Sequence, residues 1–359
     1  MKPECGYQFV IELSTDDPPT ETVGSHQVTP DLWRPALESG RFAALRRDRR
    51  RSAVLPNGPG QIDPRWHALR GEPFVDGFRV TFTLDDGPEI STDFTADYFH
   101  DTAQQLGRRL VESGRLKAGE PFRYQVSAFA AADEPAEQRR GLSVTAVPQR
   151  LNFQKTPLGT LQNDAVEYGP VSDEDLPAFI PQAVLEETVA CLEQAGAAET
   201  GGILIGHLHR DPQRPEMFFV EVTAQIPARH AVQELTRLTF TPETWAGVDA
   251  ALQLRGLGER KLGWWHTHPS RQWCAQCPVE NRRRCQLSGE FFSTHDAALH
   301  QTCFPMPYSL ALVISDSYAH GLTYPLYGWR GGRIVSRGFY QMNAMAVAHE
   351  SPSTGSTKI

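Results

Sequence analysis

Two histidines, His266 and His268, stand one residue apart at the end of the run GWWHTHP. Side chains alternate along a strand, so both imidazoles project from one face while Thr267 faces away. Two imidazoles side by side can meet one metal ion. Pro269 ends the strand, which sets the pair at the rim of a sheet. A structural zinc centre takes four protein ligands, whereas a catalytic one keeps a position for water. A third ligand is therefore the residue to look for, and the run STHD supplies it. Ser293 reads as a helix N-cap, which places Asp296 in the first turn. Its carboxylate is a hard anionic ligand that suits zinc beside two histidines. A hydrolytic centre also needs a base for the proton of water, and Glu199 stands just before TGGILIG, at the mouth of a predicted strand.

The same stretch holds cysteines. The chain has Cys5, Cys191, Cys274, Cys277, Cys285 and Cys303, and the last four crowd around the histidine and aspartate motifs. In a long chain without an export signal such a cluster reads as metal ligands before disulfides. A pair at CxxC spacing with two further thiols suits a tetrahedral four-cysteine zinc, with an iron–sulfur cluster as the other version. His295 and His300 flank Asp296, and either is an alternative to a cysteine there. His207 and His209 read as surface residues, Trp264 and Trp265 as core and cleft wall, and Cys5 and Cys191 as structural.

These groups need elements to position them. The run IPQAVLEETVACLEQAG puts Leu185, Val189 and Leu192 on one helical face and ends at Gly196. TGGILIGHL and MFFVEVTAQI are apolar runs of the buried-strand type. TPETWAGVDAAL opens on Thr241 as N-cap, with Pro242 just inside. KLGWWHTHP and YSLALVISD are strands, and YGWRGGRIV is a hairpin turning at Gly331-Gly332. Helices and strands mixed in this way make an α/β domain with a helix-flanked mixed sheet over residues 173–345. In the first 150 residues, YQFVIEL, FRVTFTL and PEISTDFT read as strands, the last two joined by a DDG turn. ADYFHDTAQQLGRRLVESG reads as a helix ending at Gly114, and PFRYQVSAFA and LSVTAV as strands. This order predicts a small α+β domain, with a β-grasp arrangement among those it fits. Residues 151–172 read as a linker and 346–359 as a flexible tail.

The 359-residue chain is 40% hydrophobic and 22% charged, the composition of an ordinary globular protein. Its net charge of -8 argues against nucleic acid as the main partner. The basic runs Arg46–Arg51 and Asn281–Arg284 read as solvated loops. No membrane-spanning run and no signal peptide is apparent, so a cytoplasmic location is expected.

Glu199, His266-Thr-His268-Pro and Ser293-x-x-Asp296, in this order and in these elements, resemble the signature of the JAMM/MPN metalloprotease family. The resemblance spans roughly residues 173–345. It implies a cytidine-deaminase-like MPN fold, a Zn2+ ion held by His266, His268 and Asp296, Glu199 as the acid–base group, and Ser293 as a donor to the developing oxyanion. It also implies peptide or isopeptide cleavage after the C-terminus of a ubiquitin-like protein. The cysteine-bearing loop is similar to those of bacterial family members encoded beside E1-like and E2-like enzymes. This chain departs from the family in the long insertion between His268 and Ser293. Two other readings stay open: a non-catalytic MPN adaptor acting through its N-terminal domain, and a peptidase that trims a modifier or sulfur-carrier precursor.

Overall fold

The computed structural model describes residues 4–15, 22–47, 54–56, 58–69, 72–83, 89–130, 150–229, 232–234 and 237–343. The chain forms two compact units. One comprises Met1–Asn152 with Gln301–Pro307 and Trp329–Val335; the other comprises Phe153–His300, Tyr308–Gly328 and Ser336–Ile359.

The first unit contains β1 (Glu4–Cys5), β2 (Tyr7–Ser14), β3 (Gly24–Gln27), α1 (Arg34–Arg47), β4 (Gln61–Leu69), β5 (Glu72–Thr83), β6 (Glu89–Thr95), α2 (His100–Glu112) and β7 (Arg123–Ala130). Alternation builds its core: Phe78, Val80 and Phe82 on β5 are buried, while Arg79 and Thr83 are exposed. Phe9, Trp33 and Phe78 meet edge to face, with centroids 4.9–5.0 Å apart for the two Trp33 pairs. On α2, Ala103, Gly107 and Leu110 face the core, and Gly114 follows the helix at φ 72°.

Strands β1-β4-β5-β6 form one sheet and β3-β2-β7 another. A β-grasp arrangement requires the strand after the helix to join the sheet of the preceding hairpin. Here β7 pairs with β2 instead, so among the described residues that arrangement is not formed. Helix α1 lies in a stretch whose sequence carries no clear periodicity. Its buried positions are mostly small or scattered (Pro35, Ala36, Leu37, Gly40, Phe42, Ala44 and Leu45), and tertiary packing settles its state. The predicted DDG turn, the LSVTAV strand and the C-terminal tail lie outside the described residues.

The remaining elements, most of them in the second unit, are β8 (Phe153–Lys155), α3 (Leu158–Gln162), β9 (Ala165–Tyr168), β10 (Ala178–Pro181), α4 (Gln182–Ala195), β11 (Gly201–Arg210), β12 (Phe218–Pro227), β13 (Val232–Glu234), β14 (Arg237–Thr239), α5 (Pro242–Arg255), β15 (Arg260–His268), α6 (Ser270–Trp273) and α7 (Thr294–Cys303). After these come β16 (Leu310–Ser317), β17 (Gly321–Thr323), β18 (Leu326–Arg330), β19 (Arg333–Arg337) and β20 (Phe339–Met342). The main sheet runs β19-β18-β16-β15-β11-β12-β10-β20-β9, mixed in direction, with β17 and β8 attached to β16 and β11. The chain is thus mixed α/β. Residues 151–172 are not a linker: β8 pairs with β11 and β9 with β20. Their short, polar-flanked strands lack the periodicity that would reveal them, and sheet pairing recruits them.

At the centre, β15 is antiparallel to β11 and parallel to β16. The seven residues Leu262–His268 are all buried, as strands covered on both faces must be. Thr241 caps α5 by accepting from the Thr244 amide, and Gly256 follows it at φ 62°. Gly263 permits close pairing of β15 with β16, because a Cβ there would stand 2.0 Å from the Leu310 carbonyl oxygen.

Among the described residues no helix is long and apolar enough to cross a membrane.

Gly263→Ala should therefore push β15 off β16 and lower the urea midpoint. Gly247→Ala, inside α5 where a Cβ meets nothing within 4 Å, should raise stability by roughly 0.5–1 kcal/mol. Equal midpoints for the two variants would refute the close-approach argument.

Candidate metal centre

The centre starts at the end of β15. Trp264, His266 and His268 alternate onto one face, and the two histidines are 0% and 1% exposed. Trp264 stacks on His266 at 4.6 Å and 13°, and Phe291 stacks on His268 at 4.3 Å and 24°. The Nε2 atoms come within 3.1 Å of each other. Both Nδ1 atoms are buried without a hydrogen-bond partner among the described residues, so ring packing, not a carboxylate, orients the imidazoles.

Thr267, on the opposite face, clamps the neighbouring chain. Its hydroxyl accepts from the Thr200 amide at 2.9 Å, and its amide donates to the Thr200 carbonyl at 2.9 Å. This bridge fixes the residue after Glu199. The Glu199 carboxylate is 4% exposed and lies 3.9 Å from His268 Nε2.

Asp296 arrives on α7 through a reciprocal cap. The Ser293 hydroxyl accepts from the Asp296 amide at 3.1 Å, and the Ser293 amide donates to Asp296 Oδ2 at 2.7 Å. One carboxylate oxygen is thereby committed to the cap. The other, Oδ1, is left 3.5 Å from His266 Nε2.

The donor set fits a small tetrahedral cation. Bonds of about 2.0–2.1 Å to N and O require donors about 3.3 Å apart. The spacings of 3.1 Å and 3.5 Å bracket that value, and His266, His268 and Asp296 form a group with all ligand atoms within 4.8 Å. Three protein ligands leave a fourth position free.

Burial sets the charges. It pushes Glu199 up to about 7; attraction to His266 works against this and repulsion from Asp296 adds to it. Burial also lowers His268 to about 3, helped by repulsion from His266 and opposed by Asp296. Burial would raise Asp296, but attraction to His266, together with hydrogen bonds from His266 and Ser293, outweighs it and holds the carboxyl well below the usual range.

A second group joins Cys274, Cys277 and Cys285, whose sulfurs lie within 4.8 Å of one another. Cys303 is not part of it. It is exposed at the end of α7, seven residues and about 10 Å along the axis from Asp296. His300 is buried and accepts from Trp264 Nε1 at 3.2 Å, which commits it to the core, and His295 is exposed. His209 is also buried, with Nε2 2.9 Å from Glu221 and Nδ1 3.0 Å from Thr156, so it is not a surface residue. The Thr267 clamp and the Phe291 stack escape sequence reading. Only the position of Thr267 between two ligands hinted at the clamp.

No protein-family model and no curated protein matches the chain. Among solved structures it is similar to the solution structure of protein DSY2949 from Desulfitobacterium hafniense, at a TM-score of 0.34 and 18% identity, covering 48% of this chain and 99% of that one. Likeness at this level carries neither fold nor function.

The raised Glu199 has a stability consequence in metal-free protein. Its folded pKa near 7 exceeds the ordinary 4.5, so the stability it contributes is complete below about pH 4.5 and is lost as pH rises through 7. Metal-free Glu199→Gln should therefore be more stable than wild type at pH 8, with the gap closing toward pH 4.5. A gap that does not change with pH in urea melts would contradict the buried-carboxyl assignment.

Proposed function

We propose that the chain is a zinc-dependent peptidase or isopeptidase of the JAMM type, its second unit an MPN domain of cytidine-deaminase-like fold. The observation that carries this reading is the meeting of His266 Nε2, His268 Nε2 and Asp296 Oδ1 at 3.1 Å and 3.5 Å, with the buried Glu199 carboxylate 3.9 Å from His268 Nε2.

His266, His268 and Asp296 would hold Zn2+, which would supply a Lewis acid able to bring the pKa of water toward ~7. The protein's own groups do the rest. Glu199, buried and 3.9 Å from His268 Nε2, is placed to take a proton at its carboxylate and pass it to a leaving amine. The Ser293 hydroxyl already accepts from the Asp296 amide, so its own proton is available to a developing oxyanion. Trp264 and Phe291 cover the faces of the two imidazoles, and Trp273 packs at a tilt against His268. The substrate class is the C-terminal tail of a ubiquitin-like protein joined to an amine. The modifier's conjugates, with E1-like and E2-like enzymes of the same pathway, are the proposed partners, and neither nucleic acid nor membrane is. A buried carboxyl next to the donor set favours an enzyme over an adaptor, since an adaptor has no use for one there.

Cleavage of a modifier fusion by the full-length chain tests this. Glu199→Gln should keep its zinc by elemental analysis and lose ~10²–10⁴-fold in turnover. His266→Ala, His268→Ala and Asp296→Ala should each lose the ion. An active Glu199→Gln enzyme, or full zinc in any ligand variant, would sink the assignment. A linear C-terminal fusion set against a lysine-linked conjugate separates precursor trimming from deconjugation.

A further inference from the structure

The insertion between β15 and α7 contains only short helical turns: α6, then 3-10 turns over Val279–Arg284 and Gln286–Ser288. None of Val279–Arg284 is buried. A segment with so little apolar surface to bury needs another source of order. Three cysteines supply the means. The Cys277 and Cys285 sulfurs are 4.0 Å apart, and Cys274 joins them within 4.8 Å. A tetrahedral ion with metal–sulfur bonds of about 2.3 Å requires sulfurs about 3.8 Å apart. A disulfide would instead need about 2.05 Å, and the sulfurs are not so paired.

The backbone around them turns the sulfurs inward. The Cys277 amide donates to the Cys274 carbonyl at 3.0 Å, closing the CxxC turn. Arg282 holds that turn from outside, donating from Nε to the Cys277 carbonyl at 3.1 Å and from Nη2 to the Ala275 carbonyl at 2.7 Å. The Ser288 amide donates to the Cys285 carbonyl at 2.9 Å, which closes the turn that follows the third cysteine.

We propose that Cys274, Cys277 and Cys285 form a second metal site, a three-thiolate cage for Zn2+ with its fourth position open to an exogenous ligand. It differs from the His266–His268–Asp296 group in donor set and in role. Its ion staples the insertion whose downstream residues, Phe291 and Ser293, stack on His268 and cap Asp296. The site stands on its own geometry and does not depend on the chain being a peptidase.

Cobalt substitution of the full-length chain, purified without oxygen, tests it. Thiolate ligation gives an intense near-ultraviolet sulfur-to-cobalt charge-transfer band, which histidine and carboxylate ligands do not. Wild type and His268→Ala should both show the band, Cys277→Ser and Cys285→Ser should lose it together with one ion, and Cys303→Ser should leave both unchanged. As a check that survives misfolding of a variant, Zn2+ added to wild type should slow alkylation of Cys274, Cys277 and Cys285 and not of Cys303, as read by peptide mass spectrometry. Absence of the band in wild type overturns the site, as does equal alkylation with and without Zn2+. Loss of the band in Cys303→Ser overturns the three-ligand version, and bound iron with sulfide overturns the zinc assignment. Loss of the histidine site alone, with the band intact, would count against the peptidase reading and leave this one standing.

Discussion

Two imidazole nitrogens held 3.1 Å apart in a buried place form the constraint on which the rest of the centre depends. Both lone pairs cannot face each other across that gap unless a proton or a cation stands between them. The sheet imposes the arrangement. β15 is pinned on one side by β11 and on the other by β16, and its residues from Leu262 to His268 have no solvent to turn toward. Gly263 lets the strands close, and Thr267, facing the other way, fastens the chain that carries Glu199. One strand thus orients two imidazoles on one face and, through the other, anchors the segment that carries Glu199.

A single physical cause, removal from water, then gives each group its state. It disfavours the charged form of His268 and of Glu199, so the first stays neutral and the second retains its proton near pH 7. Asp296 meets the same penalty and overcomes it, because His266 and the Ser293 amide both favour the anion. Neutral imidazole and ionised carboxylate are the states in which such side chains bind a metal ion. They arise here from one buried rim and one helix cap.

The insertion between β15 and α7 obeys a different rule. It gains little from apolar burial and relies on directed contacts. Arg271 pairs with Asp316 at 2.7 Å, and Tyr318 has the guanidinium groups of both Arg271 and Arg282 over its ring, at 5.7 Å and 5.3 Å. Arg282 also holds the cysteine turn. The arginines that read as a solvated run are in part committed to this scaffold.

Local signals determined much by themselves. The i, i+2 spacing of His266 and His268 dictated a shared face, because strand alternation leaves no choice. The Ser293-x-x-Asp296 spacing dictated a cap, because those two side chains satisfy each other's amides within one turn. Thr241-Pro242 and Gly331-Gly332 likewise marked a helix start and a hairpin. What depends on partners distant in the chain was decided by tertiary structure alone. Pairing with β11 and β20 drew the supposed linker into the sheet, and β7 chose β2 over the hairpin before it. The fourth cysteine fell away because counting residues does not show that a rigid helix carries Cys303 out of reach. The protonation of Glu199 was equally invisible, since a pKa is set by who surrounds a group in space, and sequence lists only who precedes and follows it.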